Sequence, residues 1–196
     1  FDTNDGGTDQ YKDVGQFGTR TLTKDLNYVV AEGAYTNHLT PDALTIASIA
    51  MQSGSLVDIG YNGVNNFALT GDNLEDSKAI KIDAVRPTIT KIESDKPNGT
   101  YGLGEEIKVT VTFSESVVLS GGGKIVITME TGNDTAIDDI TSHNGTTVEG
   151  TYTVAAGDAS SDLTVKTVSV QGTLTDPAGN AMTSFAIGTN LAAQSG

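Results

Sequence analysis

From Ile107 to Phe113 apolar and polar residues alternate without a break, with Ile107, Val109, Val111 and Phe113 set against Lys108, Thr110 and Thr112. A period of two puts one set on a core face and the other on solvent, which is the pattern of a half-buried β-strand. Shorter runs of the same kind predict strands at 89–93, 107–114, 124–129, 150–155, 163–171 and 181–186, and an earlier one at 79–83. Between them stand residues suited to turns: Asn62-Gly63, Asn98-Gly99 and Asn144-Gly145 for positive φ, and Gly121-Gly122-Gly123 for a chain reversal. No stretch of a dozen residues carries an apolar stripe at 3.6-residue spacing, so the chain reads as all-β.

The pattern also repeats. Asn27-Tyr-Val-Val30 matches Thr151-Tyr-Thr-Val154 at an offset of 124, Ala43-Leu-Thr-Ile46 matches Asp162-Leu-Thr-Val165 at 119, and Gly54-Ser-Leu-Val-Asp58 matches Gly172-Thr-Leu-Thr-Asp176 at 118. Phe67-Ala-Leu69 matches Phe185-Ala-Ile187 at 118 as well. A repeat of about 120 residues is the size of a seven-stranded β-sandwich. Pro87 fixes an elbow between the strands expected at 79–83 and 89–93, so the expected organisation is two tandem Ig-like sandwiches, 1–84 and 85–196. On this register Phe1 corresponds to Met129. The first copy is expected to be incomplete at its N-terminal side, without counterparts of 88–128, and the second to lack the counterpart of 79–83. Since the chain opens at Phe1 rather than Met, the numbering is expected to begin inside a longer or processed polypeptide. Such a half-sandwich would expose apolar faces and strand edges, which predicts completion by a neighbouring copy or by the severed front of the same repeat, the alternative being a compact fold of its own around Phe1–Tyr28. In both copies the inward phase slips by one residue, between Leu44-x-Ile46 and Ile49-x-Met51 and between Leu163-x-Val165 and Val168-x-Val170. A bulge or strand break is therefore predicted near Ala47-Ser48 and near Lys166-Thr167.

Asn98-Gly-Thr-Tyr-Gly-Leu-Gly-Glu-Glu-Ile-Lys-Val-Thr-Val-Thr-Phe-Ser-Glu-Ser-Val117, then Tyr152-Thr-Val-Ala-Ala-Gly-Asp158 and Asp176-Pro-Ala-Gly-Asn180, resemble the bacterial Ig-like tandem repeats of large secreted surface adhesins, of the biofilm-associated or RTX-adhesin extender type. The resemblance covers 83–196 and, as the matching rear part, 19–83. It implies a non-enzymatic extender or stalk in cell adhesion, secreted and held at a bacterial cell surface, whose partners are neighbouring Ig-like repeats or copies of itself. It also implies dependence on calcium. The alternative is a subunit of an extracellular filament or surface layer, or a split Ig-like binding module, completed by strand addition from another chain.

Composition narrows the chemistry. A net charge of -14 with only 11 Lys and Arg leaves no basic cluster to neutralise phosphates, which argues against nucleic acid. No apolar run approaches the ~18 residues of a membrane helix, so no membrane insertion is expected. With no cysteine there is no disulfide, thiolate nucleophile or sulfur metal site. The acidic residues gather in Gly- and Asn-rich loops, where they serve either solubility or a hard cation. Residues 2–13 carry Asp at loop position 1, Asn at 3, Gly at 6 and Asp at 12, part of a calcium loop, although no helix flanks it and the closing residue is not Glu. A looser site there draws on Asp2, Asn4, Asp5 and Asp9. If the strands alternate up and down, Asp58 and Asp83 of the first copy face Glu115, Asp158 and Asp162 of the second, and so many carboxylates at one joint call for a cation, calcium above all. Asp58-x-x-x-Asn62 and Asp176-x-x-x-Asn180 could each place two oxygen ligands in one loop, although an Asp starting a turn and an Asn closing it is the commoner role. Catalysis finds little footing. His38 and His143 read as solvated loop residues outside any nucleophile motif, and Asp138-Asp139 as a flexible-loop pair rather than a hydrolytic dyad.

Overall fold

The computed structural model describes residues 27–34, 44, 46, 49–50, 55–57, 60–64, 66–68 and 71–191. The chain divides into two compact units, Phe1–Val85 and Arg86–Gly196. In the second, six strands follow one another: β1 (Ile89–Ser94), β2 (Glu106–Met129), β3 (Ala136–Ile140), β4 (Asn144–Thr153), β5 (Val165–Thr175) and β6 (Ile187–Thr189). They form one mixed sheet in which β2 pairs antiparallel with β1, β3, β4 and β5, and β6 runs parallel to β1. Among the described residues the fold is all-β apart from one helical turn, α1 (Leu74–Ser77), in the first unit.

β2 organises this unit. Its first arm carries the alternation read from the sequence, with Ile107, Val109, Val111 and Phe113 all buried, and its second arm repeats it with Ile125, Ile127 and Met129. Both arms feed a single core with Ile89 and Ile92 of β1, Ile137 and Ile140 of β3, Val148 and Tyr152 of β4, and Val165, Val168 and Leu174 of β5. Burying each of these aliphatic side chains contributes about 1.5–3 kcal/mol, so the core rather than any loop decides the fold. For both arms to share it the strand has to bend, and it does so at two irregularities. Between Thr112 and Val117 the register against β4 jumps from Thr147 to Gly145. Between Ser120 and Lys124 the register against β5 moves from Thr173 to Gln171. The second bend corrects one expectation: Gly121-Gly122-Gly123 does not reverse the chain but bulges within a continuous strand. Glycine is required there because a Cβ on Gly123 would stand 1.6 Å from the Gln171 carbonyl oxygen.

Three further expectations change. Residues 136–140, read as loop, are strand β3. Its buried residues Ile137 and Ile140 are three apart, so the segment lacks the period-two signal. The strand expected at 181–186 reduces to a single bridge from Ala181 to Thr175, and pairing resumes at β6, where bare Gly188 lets the backbone approach Thr90. The run 79–83 contributes only a bridge residue at Asp83 and the buried Ile82, while Ile80 is exposed. The phase slip in the second copy is absorbed as its pattern requires: Thr167 pairs with Thr128 and Val165 with Met129, leaving Lys166 as the extra residue of a bulge. Ala47 and Ser48 lie outside the described residues.

Hydrogen bonds recur between the units at offsets of 117 to 119 residues. Asn73 takes the Ile46 N–H on Oδ1 and gives Nδ2 to the Ile46 carbonyl, at 2.9 and 3.0 Å. Asn190 does the same to Val165, at 3.1 and 2.7 Å. The same side-chain oxygens accept Leu74 N–H and Leu191 N–H, each at 2.8 Å. Val57 bridges Gly63 as Thr175 bridges Ala181. Val64 donates to the Leu56 carbonyl as Met182 donates to that of Leu174, both at 2.8 Å.

Candidate functional site

The residues of interest in the second unit lie where β2 first bends and where β5 ends. In the irregular stretch after Thr112 four residues of β2 stand against one of β4, and a bulge of this kind re-aims side chains out of the regular pleat. Ser114 is anchored there, its N–H donating to the Thr88 carbonyl at 2.9 Å while its Oγ accepts Thr88 N–H at 3.0 Å. Its neighbour Glu115 is half-buried. After β5 the chain turns through Asp176-Pro-Ala-Gly-Asn180. Asp176, only 3 % exposed, accepts Asn180 N–H at 2.8 Å on one oxygen and Asn180 Nδ2 at 2.7 Å on the other. The turn role expected of this loop is thus present. Pairing both oxygens offsets much of the cost of burying a carboxylate. The two elements converge so that carboxylate oxygens of Glu115 and Asp176 lie within 4.8 Å of one another. Two carboxylates this close repel unless a positive charge is present, and a hard cation with oxygen ligands is one way to supply it. On the same side Arg86 Nη1 donates to the Ala181 carbonyl at 3.2 Å, just past the turn.

Asp158 sits elsewhere and is engaged differently. Its Oδ2 accepts the Tyr152 hydroxyl at 2.7 Å and Ala155 N–H at 2.9 Å, and its Oδ1 accepts the Thr135 hydroxyl at 2.9 Å. Donors aimed at the charged form, the Ala155 amide first and then the Tyr152 hydroxyl, hold its pKa down at about 2. Burial first and then the acid partner push the Tyr152 phenol above its ordinary range. This carboxylate closes the loop after β4 onto the stretch after β2, through Thr135 and the buried Thr131. Asp162 is exposed in the connection to β5. Among the described residues neither Asp158 nor Asp162 joins a group of three acidic or histidine side chains close enough to share an ion. Asp83 lies in the first unit, where its Oδ1 accepts Val85 N–H at 3.2 Å. Asp2, Asn4, Asp5, Asp9 and Asp58 fall outside the described residues.

The sequence offers Asp176 as a loop ligand beside Asn180 but favours its turn role, and it shows nothing of the approach to Glu115. The available signal was its match with Asp58 in the repeat. His143 lies in the loop between β3 and β4 as expected, but it is half-buried rather than solvated, its ring 5.9 Å from that of Phe113 and its Nε2 3.0 Å from the Gly145 carbonyl. Asp138 and Asp139 are on strand β3 rather than in a loop, Asp138 pairing with Lys124 at 2.5 Å. An open polar groove of about 400 Å³ runs past Asp139, Thr141 and Thr151, and its Glu149 is taken up by Lys108 at 2.8 Å. Among the described residues no helix is long and apolar enough to cross a membrane. Comparison with protein-family models, curated proteins and solved structures finds no match to the chain.

Proposed function

We propose that the chain is a segment of tandem Ig-like β-sandwich repeats that works as a non-enzymatic extender of a secreted bacterial surface adhesin. The observation that carries the repeat is the hydrogen-bond signature shared by Asn73 with Ile46 and Leu74, and by Asn190 with Val165 and Leu191. An Asn that clamps one residue by both backbone groups and caps the next turn is too particular an arrangement to recur twice, at offsets of 117 to 119 residues, by accident of composition. The sandwich reading rests on the two arms of β2, bent at two bulges and feeding one core. The adhesin, its surface location and its partners rest on the resemblance of 98–117, 152–158 and 176–180.

In this reading calcium stiffens the joint between repeats. What supports it is the Glu115–Asp176 pair, together with Asp83 only three residues ahead of Arg86, where the second unit begins. The competing account of the pair is that Arg86 supplies the positive charge by itself. Calcium titration of the purified chain, followed by its melting temperature, separates them. The joint reading expects a rise in melting temperature with calcium, reversed by chelator and lost in Glu115→Gln and in Asp83→Ala. Melting that ignores calcium while Arg86→Ala destabilises leaves the charge to arginine. A second reading, a module or filament subunit completed by strand addition, is favoured by the exposure of Ile49 and Val64 in the first unit.

A further inference from the structure

The two units share hydrogen bonds at matched positions, yet matched side chains differ in burial. Ile49 is 51 % exposed, whereas Val168, its counterpart, is 5 % exposed; Val64 is 43 % exposed and its counterpart Met182 6 %. The difference is selective, since Val29 and its counterpart Thr153 are both exposed. What separates the two sets is β2. Val168 lies directly across from Ile127 and Leu174 across from Leu119, and Met182 is fastened to Leu174 through its N–H. Among the described residues, the two positions most clearly covered in the second unit and bare in the first are thus one that pairs with β2 directly and one tied to a residue that does.

From this, and resting on the repeat reading above, we infer that Ile49 and Val64 mark the seat of a strand pair with the chemistry of residues 88–128, joined in cis to the first unit. Its covering strand is extended, places Ile, Val or Met at every second position as Ile125, Ile127 and Met129 do, and carries glycine where it must pass as close as Gly123 passes Gln171. The seat selects by shape and alternation rather than by charge, because both marker residues are aliphatic. Covering it removes two apolar side chains from water and supplies the ladder partners a strand edge needs.

The chain holds no cysteine, so a single introduced thiol reports accessibility cleanly. Ile49→Cys and Val64→Cys are made in the chain as it stands and in a chain extended ahead of Phe1 by a second copy of residues 88–128, so that Thr128 runs into Phe1. The expected result is thiol labelling slowed about tenfold or more in the extended chain, as for a side chain that reacts only on local opening. An extension with Ile125, Ile127 and Met129 changed to Ser is expected to leave labelling fast. Exchange of the Val168 amide shows that the second unit is folded in every variant, and a shorter extension of 117–128 takes the place of the full one if that fails to fold. Unchanged labelling in a folded extended chain overturns the inference, as does equal slowing by the Ser-substituted segment. The repeat reading is checked separately: it stands if Asn73→Ala and Asn190→Ala each loosen their own unit, whatever the extension does.

Discussion

Asp158 is the single residue whose environment says most about its role. Three donors converge on its carboxylate and hold its pKa at about 2, below the ordinary value of 3.8. A depressed pKa means that the fold favours the charged form. The stabilisation it contributes is complete above about pH 4 and is lost as pH falls through about 2. Asp158→Asn is therefore expected to lower the melting temperature of the second unit at pH 7, and the gap to the unaltered protein should close between pH 4 and 2. A gap that stays constant across that window would show that the carboxylate's charge is not what the turn uses. Because its oxygens are already occupied, the same substitution is expected to leave calcium binding unchanged, in contrast to Glu115→Gln.

At the scale of elements, the sequence exposed whatever was local and periodic. The first arm of β2 alternates cleanly, and the one-residue slip around Lys166 announced a bulge that the pairing of Val165 with Met129 and Thr167 with Thr128 supplies. β3 was hidden because its buried residues are three apart, and β6 because a three-residue parallel pairing depends on a distant strand and on Gly188. The candidate site followed the same rule. The Asp176–Asn180 turn is local and was legible, whereas the approach of Glu115 to Asp176 depends on a bulge in one strand meeting a turn after another. The bulge makes its own prediction. Lys166 forms an exposed pair with Asp134, so Lys166→Ala should change stability little. Deleting Lys166 instead flips one flank of the strand and turns Val165 or Val168 out of the core, at a cost of about 3 kcal/mol or more. Chemical denaturation of the two variants distinguishes a bulge that sets register from one that merely tolerates an extra residue.

At the scale of the whole molecule, the proposed reading is of a repeat whose parts recur and whose function lies in how repeats are joined. A chain of net charge -14 repels itself, and on that reading removing calcium should loosen the joint. Small-angle X-ray scattering of the chain at physiological salt, with calcium and then with excess chelator, tests this most directly. The account predicts a stiff, extended profile with calcium that broadens toward a mixture of interdomain arrangements on chelation, and no such change in Glu115→Gln. Profiles that superimpose with and without calcium would contradict it, leaving the acidic loops as solvated surface.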